Sequence, residues 1–144
     1  MAVKELYERD DLTIDDIDRQ DVKDAIELVS GIKRIEWSDP HTGEKDENGQ
    51  EILTFPFPLY PKSLIEVLFI TGVDFRYSEN YKRYCEGVPI EEMGFSQIRT
   101  MLTRIQRGEH FCDGYIEDEI KNGNLLALLR RLDELIEIDN GKIK

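Results

Sequence analysis

Two cysteines, two histidines and one tryptophan are a thin supply of soft ligands and nucleophiles for 144 residues. A tetrahedral zinc site would have to gather Cys85, Cys112, His41 and His110, the whole stock, and the two-residue spacing of His110 and Cys112 matches no zinc pattern. There is no Gly-x-Gly-x-x-Gly and no Walker-type lysine to cradle a phosphate, so neither a cofactor nor a metal is expected. Long apolar runs are also lacking, since none approaches the roughly 18 residues needed to cross a bilayer. The opening Met1-Ala2-Val3-Lys4-Glu5 has no apolar stretch behind its base, which argues against a secretory leader and for a cytoplasmic address. In that reducing setting both cysteines are expected as free buried thiols and not as a disulfide.

Positive charge is the other deficit. Nineteen bases face 31 acids, a formal charge of -12, and residues 1–50 alone hold 15 acids against 7 bases. Such a field repels phosphate backbones and anionic lipid, so no direct nucleic-acid or membrane partner is expected. Lys82-Arg83 and Arg130-Arg131 are isolated basic pairs, expected to face solvent. What remains is 40% apolar and 35% charged, a composition for one folded domain over residues 1–144. A chain this long buries roughly 70% of its unfolded surface, enough for one core.

Residues 1–12 are polar and aperiodic and read as a flexible arm. Thr13, with Asp16 three residues on, is expected to cap an acidic helix within 13–31, whose Val22, Ala25, Ile26 and Val29 share one face and which Ser30-Gly31 ends. Alternation at Ile35 and Trp37 and again at Leu53, Phe55 and Phe57 predicts a β-hairpin over 33–58 with a long loop around Asn48-Gly49. Pro56 and Pro58 cannot donate to a ladder, so the second strand should be an edge that ends early, and the apolar face should lie against the helices.

The remainder, 61–138, reads as helical. Pro61 opens an apolar segment, Leu64 to Ile70, read as a helix over 61–72 with a strand as the alternative. Ser78 is expected to cap a helix carrying Tyr77, Tyr81, Tyr84 and Cys85 on a core stripe. Ser96 should cap a helix seamed by Ile98, Met101, Leu102 and Ile105 that Gly108 ends. Asp113 should then cap a two-turn helix to Lys121, and Asn124 a last one whose Leu125, Leu128, Leu129, Leu132, Leu135 and Ile136 face inward.

Two stretches invite chemistry. Glu44-Lys45-Asp46-Glu47-Asn48-Gly49 copies the start of a calcium-binding loop, but Phe55 stands where the bidentate glutamate belongs, and a hydrated hairpin turn explains the spacing. The segment Arg107-Gly108-Glu109-His110-Phe111-Cys112-Asp113-Gly114 can be drawn as a site: Glu109 or His110 as base, Cys112 as nucleophile, the amides after Asp113 receiving an anion. The same residues can be drawn as joinery. In that version Gly108 caps one helix, Phe111 and Cys112 plug the core, Asp113 caps the next helix, and Arg107 pairs with Glu109.

That segment, with Asn122-Gly123 and the run Leu125-Leu126-Ala127-Leu128-Leu129-Arg130-Arg131-Leu132, resembles the C-terminal signature of a family of small bacterial proteins classed as a domain of unknown function. Its motif is Arg-Gly-Glu-Arg-Phe-x-Asp-Gly, and His110 stands here at the second arginine. Tyr60-Pro61 and the stretch from Tyr77 to Tyr81 are similar to its central part, so the likeness spans about 50–135. It implies a bacterial or prophage host and the helical layout, and it brings no activity.

The expected fold is α+β, mostly α-helical, with about six helices around one core and a single β-hairpin. No complete catalytic set is present, so no residue is assigned as catalytic. The functional reading is a non-enzymatic protein-interaction module whose partner is another protein. One alternative is a small-ligand binder or enzyme using Arg107, Glu109, His110 and Asp113. The other is an acidic nucleic-acid mimic presenting Asp15, Asp16, Asp18, Asp21 and Asp24.

Overall fold

The computed structural model describes residues 12–143. It contains six α-helices and four short strands. They are α1 (Arg19–Gly31), β1 (Glu36–Trp37), β2 (His41–Lys45), β3 (Glu51–Leu53), β4 (Pro58–Leu59), α2 (Lys62–Val67), α3 (Tyr77–Asn80), α4 (Phe95–Phe111), α5 (Tyr115–Lys121) and α6 (Asn124–Ile143). A π-helical turn, Tyr81–Cys85, prolongs α3, and 3-10 turns cover Ile14–Asp16 and Ile90–Glu92. The arm expected at 1–12 lies outside the described residues except for Leu12, which is buried.

The core forms around α6, which touches α1, α4 and α5. Leu125, Leu128, Leu129 and Leu132 are wholly buried, as the three-and-four spacing predicts, and Leu135 is half-buried. Val22, Ala25 and Val29 of α1, Leu64 and Val67 of α2, and Ile98, Leu102 and Ile105 of α4 close on it. Each fully buried aliphatic side chain stabilises the fold by about 1.5–3 kcal/mol, so this cluster supplies most of the driving force.

Several expected boundaries move. The acidic helix is interrupted: Asp16 accepts both the amide (2.8 Å) and the hydroxyl (3.1 Å) of Thr13 to close a 3-10 turn. Ile17 is extended, and Asp18 caps α1 by accepting from Gln20 N at 2.8 Å. The 61–72 segment is helix, not strand, but only to Val67, with turns through Gly72. Arg76 and Gly94, not Ser78 and Ser96, occupy the caps of α3 and α4. Two side chains do the capping from inside the helical segments or just ahead of them. Gln97 Oε1 accepts from Gly94 N (2.8 Å), and Asp74 Oδ1 accepts from Arg76 N (2.9 Å).

The hairpin pairs as expected but is split. β1 pairs with β4 and β2 with β3, both antiparallel. Between them, Ser38 N donates to Phe57 O (2.8 Å) and Thr54 N to Pro40 O (2.9 Å). Pro56 and Pro58 lack the amides that would have made one continuous ladder. The loop is shorter than expected because Asp46 organises a tight turn, its Oδ1 accepting Asn48 N and Gln50 N, each at 2.9 Å. The apolar face does not lie against the helices: Leu53, Phe55 and Phe57 are 61%, 91% and 50% exposed. Ile35 alone of the hairpin's apolar residues is buried.

Three smaller expectations also change. Tyr84 is exposed, because the π-helical turn rotates it off the stripe that buries Cys85. Arg131 does not face solvent: its Nε donates to Met93 O (2.9 Å) and its guanidinium pairs with Glu134 (2.6 Å). Cys85 is the buried free thiol expected, whereas Cys112 is free and exposed.

Candidate functional site

The segment 107–114 is the turn from α4 into α5. α4 does not stop at Gly108; it continues to Phe111, and Gly108 sits inside it beneath Tyr115. A methyl group added there would lie 2.7 Å from the Tyr115 ring, so glycine is required by a close approach, not by helix termination. The Tyr115 hydroxyl accepts from Arg104 (3.3 Å), whose guanidinium also lies 4.0 Å over the Tyr81 ring. Burial pushes the Tyr115 phenol above its ordinary value, partly offset by Arg104.

Glu109 is the hub. Its Oε2 accepts from Gly114 N at 2.8 Å, and its Oε1 accepts from Ile116 N at 2.9 Å and from the Tyr60 hydroxyl at 2.6 Å. The Tyr60 oxygen in turn accepts from Glu117 N (3.3 Å). An anion does occupy the amides that begin α5, as the motif suggested, and that anion is the chain's own glutamate. Tyr60 is held well above the ordinary tyrosine range, first by burial and then by its hydrogen bond to Glu109.

Asp113 does not cap α5. The N-cap is Gly114, in the left-handed region at φ 91°, and a side chain there would meet the Trp37 ring at 2.9 Å. Trp37 Nε1 donates to Glu117 Oε1 (3.3 Å), so the root of the hairpin is seated on this turn by Trp37 and Tyr60 together. Phe111 and Cys112 do not plug the core: both are exposed, Phe111 at 85%. Prolonging α4 past Gly108 places Phe111 about a third of a turn off the face that Ile105 buries, and Cys112 has already left the helix with an extended backbone.

Of the four residues proposed from sequence, the structure places Glu109 in a saturated network, Arg107 half-buried on the same helix, and His110 and Asp113 exposed. Sequence reasoning missed Tyr60 and Trp37 as members of this assembly, and no local signal could have found them, since they lie 49 and 80 residues from their acidic partners. Phe55 and Phe57 as exposed residues did have a signal: prolines at every second position forbid the inner pairing that would bury them.

Two cavities stand out. One, about 470 Å³, lies between α1 and α2; the other, about 520 Å³, is bounded by Asp74, Asn80, Tyr84, Ser96, Arg99 and Thr100. Neither is lined by residues 107–114. In the second, Asp74 is already engaged by Arg76 N (2.9 Å), Asn80 Nδ2 (3.0 Å) and Thr100 Oγ1 (2.6 Å), so it serves to hold α3 against α4. Among the described residues no group of three His, Cys, Asp or Glu side chains is placed to hold a metal, and Asp46, the core of the calcium-like loop, is engaged by backbone amides. Among the described residues no helix is long and apolar enough to cross a membrane.

The chain belongs to a family of unknown function (DUF6508), whose model matches residues 17–138. The match starts at Ile17, so it takes in the acidic helix that the motif likeness over 50–135 left out. No curated protein and no solved structure matches the chain.

Proposed function

We propose that this protein is a non-enzymatic protein-interaction module that docks a partner protein through the outer half of its β-hairpin. The observation that carries the reading is the exposure of Phe55, at 91%, with Leu53 and Phe57, its neighbours two residues away in sequence, also exposed. Each large apolar side chain left in water forgoes about 1.5–3 kcal/mol that burial would return, and a cluster of them on one projecting element is the signature of a contact surface. Phe111 is a further exposed aromatic, at 85%, three residues in sequence from the Gly114 that Trp37 approaches.

The hairpin suits a protein partner better than a bilayer. Its tip carries Glu44, Asp46 and Glu47, which would have to be desolvated if it inserted end-on, whereas its exposed apolar residues, Leu53, Phe55 and Phe57, lie beyond the turn. The prolines at 56 and 58 limit unchecked strand addition along that edge. The 107–114 segment supports the same reading from the other side, since Glu109, its best acid–base candidate, is occupied in holding the hairpin's root. An exposed free thiol at Cys112 fits a reducing cytoplasm, and the family motif implies a bacterial host.

A photo-crosslinking phenylalanine analogue placed at position 55 tests this. We expect it to capture a defined protein in cells, while the same analogue at Glu47 captures none and the Phe55→Ser/Phe57→Ser variant loses that protein in co-purification. A capture pattern indistinguishable between positions 55 and 47 would overturn the reading.

A further inference from the structure

The geometry points to a second docking surface, the groove between α1 and α2, as the receptor for a basic amphipathic segment of a partner protein. This goes beyond the hairpin reading and does not rest on it. Two helical stripes face each other across the groove. On α1 and its cap, positions 18, 21, 25 and 28 recur at spacings of three and four; on α2 and the turns after it, positions 63, 66, 67 and 70 do the same. Both stripes have the same design. Ala25, Leu28, Val67 and Ile70 make an apolar floor, and Asp18, Asp21, Asp24 and Glu66 make the rim.

The electrostatics select the occupant. Among the described residues no base lines the groove. Arg19, next to Asp18 in sequence, is turned toward α6, where it meets Asp133 at 2.9 Å and Glu137 at 3.5 Å, and Lys23, next to Asp24, is exposed and is not among the groove's lining residues. Lys62 reaches Glu66 only at 3.9 Å and is otherwise in solvent. Acid crowding continues beyond the rim: Asp15 is held above its ordinary value, first by a hydrogen bond to Asp139 and then by that residue's charge. A ligand that fits must therefore bring positive charge to the rim and apolar surface to the floor.

Other occupants fit less well. The rim acids are strung along successive turns and do not converge as metal ligands would. Residues 1–11 carry four acids against two bases, and a second copy of the chain brings a net charge of -12, so both meet the rim with the wrong sign. A pure phosphate mimic would need the carboxylates and would have no use for the floor. A volume of about 470 Å³ accepts a few side chains, not a domain, which suits one face of a short helix or strand.

The test uses three probes on the full chain: a synthetic amphipathic peptide with lysine on one face and leucine on the other, its lysine–serine counterpart, and the Asp21→Lys/Asp24→Lys variant. Both substituted residues are exposed, so the variant should fold. We expect the lysine–leucine peptide to bind, with amide shifts at Asp21, Ala25, Leu28 and Ile70 and with affinity falling as salt rises. The lysine–serine peptide should bind at least about tenfold more weakly, and the variant should lose about tenfold for the lysine–leucine peptide. Phe55→Ser/Phe57→Ser should bind it unchanged, which separates this surface from the hairpin. Equal binding of the two peptides, no binding of either, shifts confined to another face, or an unaffected Asp21→Lys/Asp24→Lys variant would each overturn the proposal.

Discussion

The α4–α5 turn and the outer hairpin are joined through Trp37 and Tyr60, yet they differ in almost every physical respect. The turn is rich in ionisable side chains, and its central carboxylate, Glu109, is saturated by two amides and a phenol. The hairpin is rich in apolar side chains, and they are left in water. Polar groups drawn into a fold must be paired, because an unpaired one costs about 1–3 kcal/mol; apolar groups left out of it cost only the burial they forgo. The paired polar groups therefore hold the turn together, and the exposed apolar groups are what the proposed docking would cover.

The comparison breaks most directly at Glu109. Glu109→Ala strands Gly114 N, Ile116 N and the Tyr60 hydroxyl at once, and we expect a loss of about 3 kcal/mol in urea unfolding. A loss near zero would mean the network contributes little and the turn is free for other work. Gly114→Ala comes next, at about 2 kcal/mol, because the left-handed backbone and the Trp37 ring both oppose a methyl group. Its unfolding should be accompanied by increased exposure of the single tryptophan, read by fluorescence.

Tyr60→Phe removes one donor and one acceptor and should cost about 1 kcal/mol. It also sharpens a pH effect. Folding holds the Tyr60 phenol protonated above its ordinary value of 10.0, so its contribution is complete below about that pH and is lost as pH rises beyond it. Melting temperature should therefore fall above pH 10 in the wild type and fall less steeply in Tyr60→Phe. The smallest effect belongs to the other region: Phe55→Ser should change stability by no more than about 0.5 kcal/mol, since that side chain is 91% exposed. A drop of several kcal/mol would show that the hairpin is cemented into the fold and would weaken its role as a docking element.

Local patterns were legible at single positions. The periodicity of Val22, Ala25 and Val29 and of Leu125 through Ile136 gave the right helices and the right inward faces, because a helical repeat of 3.6 residues leaves its mark whatever the partner is. Asn122-Gly123 marked the break before α6, and Asp46 to Gly49 marked the hairpin turn. Caps were less legible. Ser78, Ser96 and Asp113 are all good cap residues, yet the donors at those helix starts are met by Asp74, Gln97 and Glu109. A side chain reaching the same amide from a neighbouring turn is indistinguishable in sequence from a helix residue with nothing to do. Gly108 misled for a related reason, since glycine ends helices and also admits close neighbours, and only Tyr115 decides between the two.

From composition and periodicity alone came a mostly helical α+β chain with one hairpin and a strongly acidic N-terminal third. The tertiary structure decided the pairings that cross long stretches of chain: Tyr60 to Glu109, Trp37 to Gly114 and Glu117, Arg19 to Asp133, Arg99 to the carbonyl of Leu12. It also decided which apolar residues stay in water. Helix and turn preferences act within a few residues and are written locally, whereas burial depends on what else the whole chain brings to the same place.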